Sequence, residues 1–180
     1  RKNFRNVLYD IYLGRGEAYY AQENYQRALS DYKQATQIIE DDWRAWYQIG
    51  NLQTYKENWS EGAQGYERAF SLNTELKHGF VNLGCCYDQL KEPSRAISDY
   101  SRGIRKNPGV GLLYNNRGFN YLELKQYEKA LADLKKAIEV EPEVVMSLVS
   151  LGEYYYLRII FSAAIAKFDA ALVMEVGSDQ

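Results

Sequence analysis

A glycine recurs every 34 residues along this chain, at Gly16, Gly50, Gly84, Gly118 and Gly152, with no slippage. Two small-residue series keep the same step: Ala28, Gly62, Ala96, Ala130 and Ala164, then Ala35, Ala69, Gly103, Ala137 and Ala171. Between them runs a bulky series, Tyr32, Tyr66, Tyr100, Leu134 and Phe168. Such self-similarity makes the chain one supersecondary unit copied five times, as blocks 9–42, 43–76, 77–110, 111–144 and 145–178. The blocks form one quasi-linear array over 9–178, with a tail at 179–180. Residues 1–8 fall where the end of a preceding helix or its connector is expected.

Apolar residues inside each block fall at helical spacing. In the first, Tyr12, Gly16, Tyr19 and Tyr20 lead to Ala28, Leu29, Tyr32, Ala35 and Ile38, in steps of three and four with one break. The break is a short polar turn, Gln22-Glu23-Asn24, Lys56-Glu57-Asn58, Lys91-Glu92-Pro93 or Lys125-Gln126. Asn24 and Asn58 suit a helix N-cap, and Pro93 suits a first helical turn, where its missing donor costs nothing. Pro108 and Pro142 end helices. Gly109-Val110-Gly111 reads as a flexible joint. Each block is therefore helix, tight turn, helix, with small residues where the two backbones approach. Glycine within a helix costs about 1 kcal/mol against alanine, so five at one phase are held by packing.

Composition narrows the function classes. The 180 residues are 46% hydrophobic and 26% charged with only three prolines, which excludes a disordered chain. A net charge of −2 with interleaved signs argues against a nucleic-acid surface. No apolar run reaches the ~18–20 residues of a membrane span, and Arg1-Lys2-Asn3-Phe4-Arg5 leads into no signal-peptide core. Cys85 and Cys86 are helical neighbours pointing about 100° apart, unsuited to an ordinary disulfide. Free thiols and the lack of a signal point to the cytoplasm. Asn58-Trp59-Ser60 has the form of a glycosylation sequon but reads as a turn. With His78 as the single histidine, no metal site, cofactor or histidine triad is expected. His78 and Cys85 on one helix would stand about 10 Å apart along its axis, too far for a nucleophile pair.

Over 170 of the 180 residues the chain resembles the tetratricopeptide repeats. Block four carries the pattern as Tyr114, Gly118, Tyr121, Ala130, Leu134, Ala137 and Pro142. Block three has Phe80, Leu83-Gly84, Tyr87, Ala96, Tyr100, Gly103 and Pro108. Block two departs at Gln53 and Thr74, and the first and last blocks place Glu40 and Val176 where proline is usual. The resemblance implies an all-α, right-handed α-solenoid of antiparallel helix-turn-helix repeats. Its first helices would line a concave groove that holds a peptide or partner helix, without catalysis. Some members grip acidic C-terminal tails through a clamp of basic residues and asparagines. Here that pattern falls on Tyr47, Asn51, Asn82, Leu112 and Asn116, so every basic member is absent, and carboxylate capture needs charge-assisted donors.

Helical spacing puts Asp10, Glu17, Tyr20, Arg44, Tyr47, Asn51, Tyr55, His78, Asn82, Cys85 and Asp88 on the groove face. Asn115, Asn116, Phe119, Glu123, Glu153 and Tyr156 continue it. Five acidic members against one arginine predict a neutral or basic protein or peptide partner. Asn51, Asn82 and Asn116 are candidates for an amide ladder along an extended peptide, with Tyr47, Tyr55 and Phe119 as apolar anchors. The bland alternative is a set of ordinary solvated helix positions. At the C-terminal end Leu157, Ile159, Ile160, Phe161 and Phe168 form a candidate apolar contact that allows self-association. The alternative function is a regulatory or substrate-docking arm of a larger enzyme such as a glycosyltransferase. RNA-binding helical repeats are a weaker reading, because the groove is acidic.

Overall fold

The computed structural model describes residues 4–76 and 78–177. The 179–180 tail, residues 1–3 of the expected leading segment and residue 77, which opens block three, lie outside the described residues. Among the described residues the chain holds ten α-helices and no strand. It divides after Leu90 into two compact units.

The first unit contains α1 (Phe4–Ala21), α2 (Tyr25–Ile38), α3 (Trp43–Tyr55), α4 (Trp59–Leu72) and α5 (Phe80–Gln89). Helix α1 packs along α2, α3 along α4, and α5 on α4. The core runs through Tyr9, Leu13, Ala28, Tyr32, Ala35, Ala45, Ile49 and Leu52. The segment expected to hold the end of a preceding helix or a connector does neither from Phe4 onward. Its residues 4–8 extend α1 without a break, because Tyr9 and Leu13 bury on the same face as Gly16.

The second unit contains α6 (Pro93–Lys106), α7 (Gly111–Glu123), α8 (Tyr127–Val140), α9 (Val145–Leu157) and α10 (Phe161–Gly177). Helix α6 packs on α7, α7 along α8, and α9 along α10. Leu122, Ala130, Leu134, Leu151 and Tyr154 form its core cluster. Phe168, expected as an exposed end contact, is instead half-buried with its ring against α9.

The recurring glycines are explained by that kind of contact. A Cβ on Gly16 would lie 2.7 Å from the Tyr32 ring, one on Gly50 2.9 Å from Tyr66, and one on Gly152 2.7 Å from Phe168. The bulky second-helix residue lies directly over the glycine rather than beside it. Burying a large apolar side chain yields roughly 1.5–3 kcal/mol, more than the roughly 1 kcal/mol that glycine costs a helix. At Gly65 the approach is closer still, since a Cβ there would stand 2.6 Å from the Gly50 nitrogen.

The turns within the repeat share a conformation that no glycine announces. Glu23, Glu57, Lys91, Lys125 and Ile159 stand 34 residues apart and all have φ between 57° and 60°. At Glu23, Glu57, Lys125 and Ile159 the bonding is that of a Schellman motif. Asn24 N–H donates to Tyr19 O at 2.8 Å and Glu23 N–H to Tyr20 O at 2.9 Å, with the same bonds at Asn58, Gln126 and Ile160. Asn24 also caps α2, accepting from Arg27 N–H at 3.4 Å. Asn58 holds the cap position of α4 but donates to Gln53 Oε1 at 3.0 Å instead. His78 precedes α5 rather than sharing a helix with Cys85. Gly111 is the first residue of α7, close-packed on Ala137 and Glu141, so it is a fixed contact and not a flexible joint.

Candidate partner-binding face

The first helices of the first unit are tied together by Tyr9. Its hydroxyl accepts from Ala45 N–H at 3.3 Å and donates to Asp42, the N-cap of α3. Asp42 in turn accepts from Arg44 N–H at 2.9 Å and holds the Arg44 guanidinium at 2.7 Å. Burial alone would raise the Asp42 carboxyl. The Arg44 side chain and backbone and the Tyr9 hydroxyl outweigh it and hold the carboxyl below its ordinary range. Arg44, the lone basic residue predicted on the face, is thereby neutralised, with Asp10 a further 3.8 Å contact. Asp42 was not singled out in the sequence, although an aspartate immediately before a helical run is an N-cap signal.

The three asparagines have partners within the protein. Asn51 Oδ1 accepts from the Tyr66 hydroxyl at 2.7 Å, and Asn82 Nδ2 donates to that Tyr66 hydroxyl oxygen at 3.1 Å. Asn116 Nδ2 donates to the Tyr100 hydroxyl at 3.4 Å, one repeat step on from the Asn82–Tyr66 bond. Tyr66 and Tyr100 are fully buried. A buried hydroxyl without a partner costs about 1–3 kcal/mol. These amides therefore satisfy second-helix tyrosines, and each has that much less to offer a peptide.

Other predicted face residues divide by exposure. Tyr20, Tyr55 and Phe119 are exposed, Tyr55 most of all at 60%. Tyr25 stands between Tyr20 and Tyr55, its ring centroid 5.5 Å from the former and 4.7 Å from the latter. Its hydroxyl is pushed up to about 12, first by its hydrogen bond with Tyr55. Glu17, Asn82 and Glu123 are exposed and Asp88 is half-buried. Glu17 accepts a 3.4 Å bond from Gln48. Tyr47 is half-buried against Tyr66 and Gly79, so it is framework more than anchor. Asn115 is only 3% exposed and does not belong to the face; its amide donates to Asn116 Oδ1 at 3.2 Å.

In the second unit α7 and α9 together form a pocket of about 310 Å³, lined by Phe119, Leu122, Glu123, Glu153, Tyr156 and Leu157. Leu122 is its buried floor. Sequence spacing named Phe119, Glu123, Glu153 and Tyr156 but missed Leu122, which looks like an ordinary core leucine. Beyond the pocket Leu157, Ile159, Ile160 and Phe161 are all exposed, Ile159 at 74%. Among the described residues no group of three or more acidic, histidine or cysteine side chains is arranged to hold a metal ion, and no helix is long and apolar enough to cross a membrane.

Comparison with known proteins defines the class. The tetratricopeptide repeat family matches residues 112–144, and a TPR repeat family matches residues 10–54. MamA 41-end from Desulfovibrio magneticus RS-1 has a TM-score of 0.89 at 17% identity, covering 96% of this chain and 98% of that one. YrrB, described as a TPR protein with an unusual peptide-binding site, has a TM-score of 0.80 at 21% identity over 91% of this chain and 84% of its own. PilF from Pseudomonas aeruginosa has a TM-score of 0.77 at 15% identity, over 96% and 78%. No curated protein sequence matches the chain. Residues 10–54 and 112–144 of the chain thus match tetratricopeptide-repeat families, and its fold is an all-α helical-repeat solenoid.

Proposed function

We propose that this protein is a non-catalytic scaffold that seats neutral or basic peptide segments of a partner on the exposed first-helix surface within each of its two units. The observation that carries the reading is the distribution of aromatic residues. Tyr32, Tyr66 and Tyr100 on the second helices are buried, whereas Tyr20, Tyr55, Phe119 and Tyr156 on the first helices are 38–60% exposed. Exposed aromatic rings amid polar residues are the usual anchors of a protein interface. The neutralised Arg44 favours a partner that brings no excess of carboxylates. Two cysteines that are not joined in a disulfide suit a reducing, cytoplasmic setting.

The test is selection of binders from a library of short random peptides on the intact chain, followed by affinity measurement on variants. Tyr55→Ala and Tyr20→Ala should each weaken the selected peptides several-fold while circular dichroism stays unchanged. Asn82→Ala and Asn116→Ala are poorer probes, because each also removes a hydrogen-bond donor from a buried tyrosine hydroxyl. Binders indifferent to every exposed first-helix residue would move the site elsewhere.

A further inference from the structure

Resting on that reading, we infer that the α7–α9 pocket is a subsite for an apolar side chain with a lysine or arginine beside it in the partner segment. The pocket combines two features that each demand a different part of such a ligand. Its floor is Leu122, buried to 5% exposure, and its walls are Phe119, Tyr156 and Leu157, at 42%, 60% and 55%. That apolar lining receives an aliphatic or aromatic side chain. Two carboxylates, Glu123 and Glu153, line the same pocket, and neither forms a salt bridge among the described residues. They are placed for a cation adjoining the apolar group, and they repel an acidic one.

The backbone next to the pocket adds an independent observation. The wall residue Leu157 is followed, two residues on, by Ile159, which holds the left-handed turn conformation at φ 59°. A β-branched residue is a poor occupant of that conformation. The sister turns use Glu23, Glu57, Lys91 and Lys125. Ile159 is 74% exposed, so burial within the chain returns almost nothing for the strain. An apolar residue that breaks a local rule without an internal gain is placed for contact outside the molecule. Next to the wall residues Tyr156 and Leu157 in the chain, Ile159 and Ile160 are thus also exposed apolar residues.

The experiment uses the peptides selected on the intact chain, with affinity measured by fluorescence anisotropy. The inference expects an aliphatic or aromatic residue beside lysine or arginine in the selected set. It expects at least a tenfold loss in Leu157→Asp. It also expects a several-fold loss in the Glu123→Gln, Glu153→Gln double variant, with a salt dependence weaker than that of the parent chain. Glu123→Asp with Glu153→Asp should recover part of the affinity. Peptides that lack basic residues, or that bind the double glutamine variant unchanged, overturn it. If Tyr55→Ala still weakens such peptides, the scaffold reading stands and only the subsite falls. If no first-helix substitution matters, both fall. A concentration-dependent dimer abolished by Leu157→Asp would assign these exposed apolar residues to a second copy of the chain and overturn the peptide subsite.

Discussion

Single residues in this protein often serve the framework where their position suggests a ligand. Asn51, Asn82 and Asn116 sit at first-helix positions that spacing alone assigns to the groove, and their amides hold the hydroxyls of Tyr66 and Tyr100. Periodicity reveals which residues share a face but not which second-helix group lies within reach, so the positions were legible and their bonds were not. Polar pairs show the same limit. Arg15 grips Asp31 through bonds of 2.7 and 2.8 Å, and Arg117 grips Asp133 identically, three repeat steps later. Asp42 gives a prediction at this scale. Its folded carboxyl is held below the ordinary value near 3.9, so it stabilises the fold above that value. The contribution is lost as pH falls through its lower folded value. Asp42→Asn keeps a competent N-cap but cannot titrate. Thermal melts should show a lower Tm at neutral pH and a shallower fall in Tm below about pH 4. An acid profile unchanged from the parent would remove Asp42 from the account.

At the scale of elements, the helices could be read from small and bulky residues at fixed steps, while the turns between them could not. A left-handed residue is ordinarily announced by glycine, and here the position is filled by Glu23, Glu57, Lys91, Lys125 and Ile159. The Schellman bonds compensate, because they satisfy carbonyls that the end of the first helix would otherwise leave open. Charged side chains tolerate this geometry better than a β-branched one. Ile159→Asn should therefore raise stability by about 1 kcal/mol, read as a shift in urea midpoint without a change in slope. A loss of stability would show that Ile159 packs inside the protein after all. The extension of α1 back to Phe4 was likewise invisible, since the repeat pattern begins at residue 9 and carries no information about what precedes it.

Across the whole molecule the uniform period concealed two things. It gave no sign that the chain divides after Leu90 into two compact units, and it gave equal weight to every first-helix position. Exposure separates those positions: Tyr20, Tyr55, Phe119 and Tyr156 face outward, whereas Asn115 is enclosed. The family was legible because five in-register copies of a pattern are far harder to produce by chance than one. The proposed partner-binding face was legible only in outline, since exposure decides which of its rings are available to a ligand.

The most direct test is an NMR titration of the isotopically labelled chain with a peptide selected from the random library. The account predicts that first-helix amide resonances move, those of α1 and α3 around Tyr55 in the first unit or those of α7 and α9 around Phe119 and Tyr156 in the second, while those of α2, α4 and α8 stay in place. Shifts concentrated on the second helices, with the first helices silent, would contradict it.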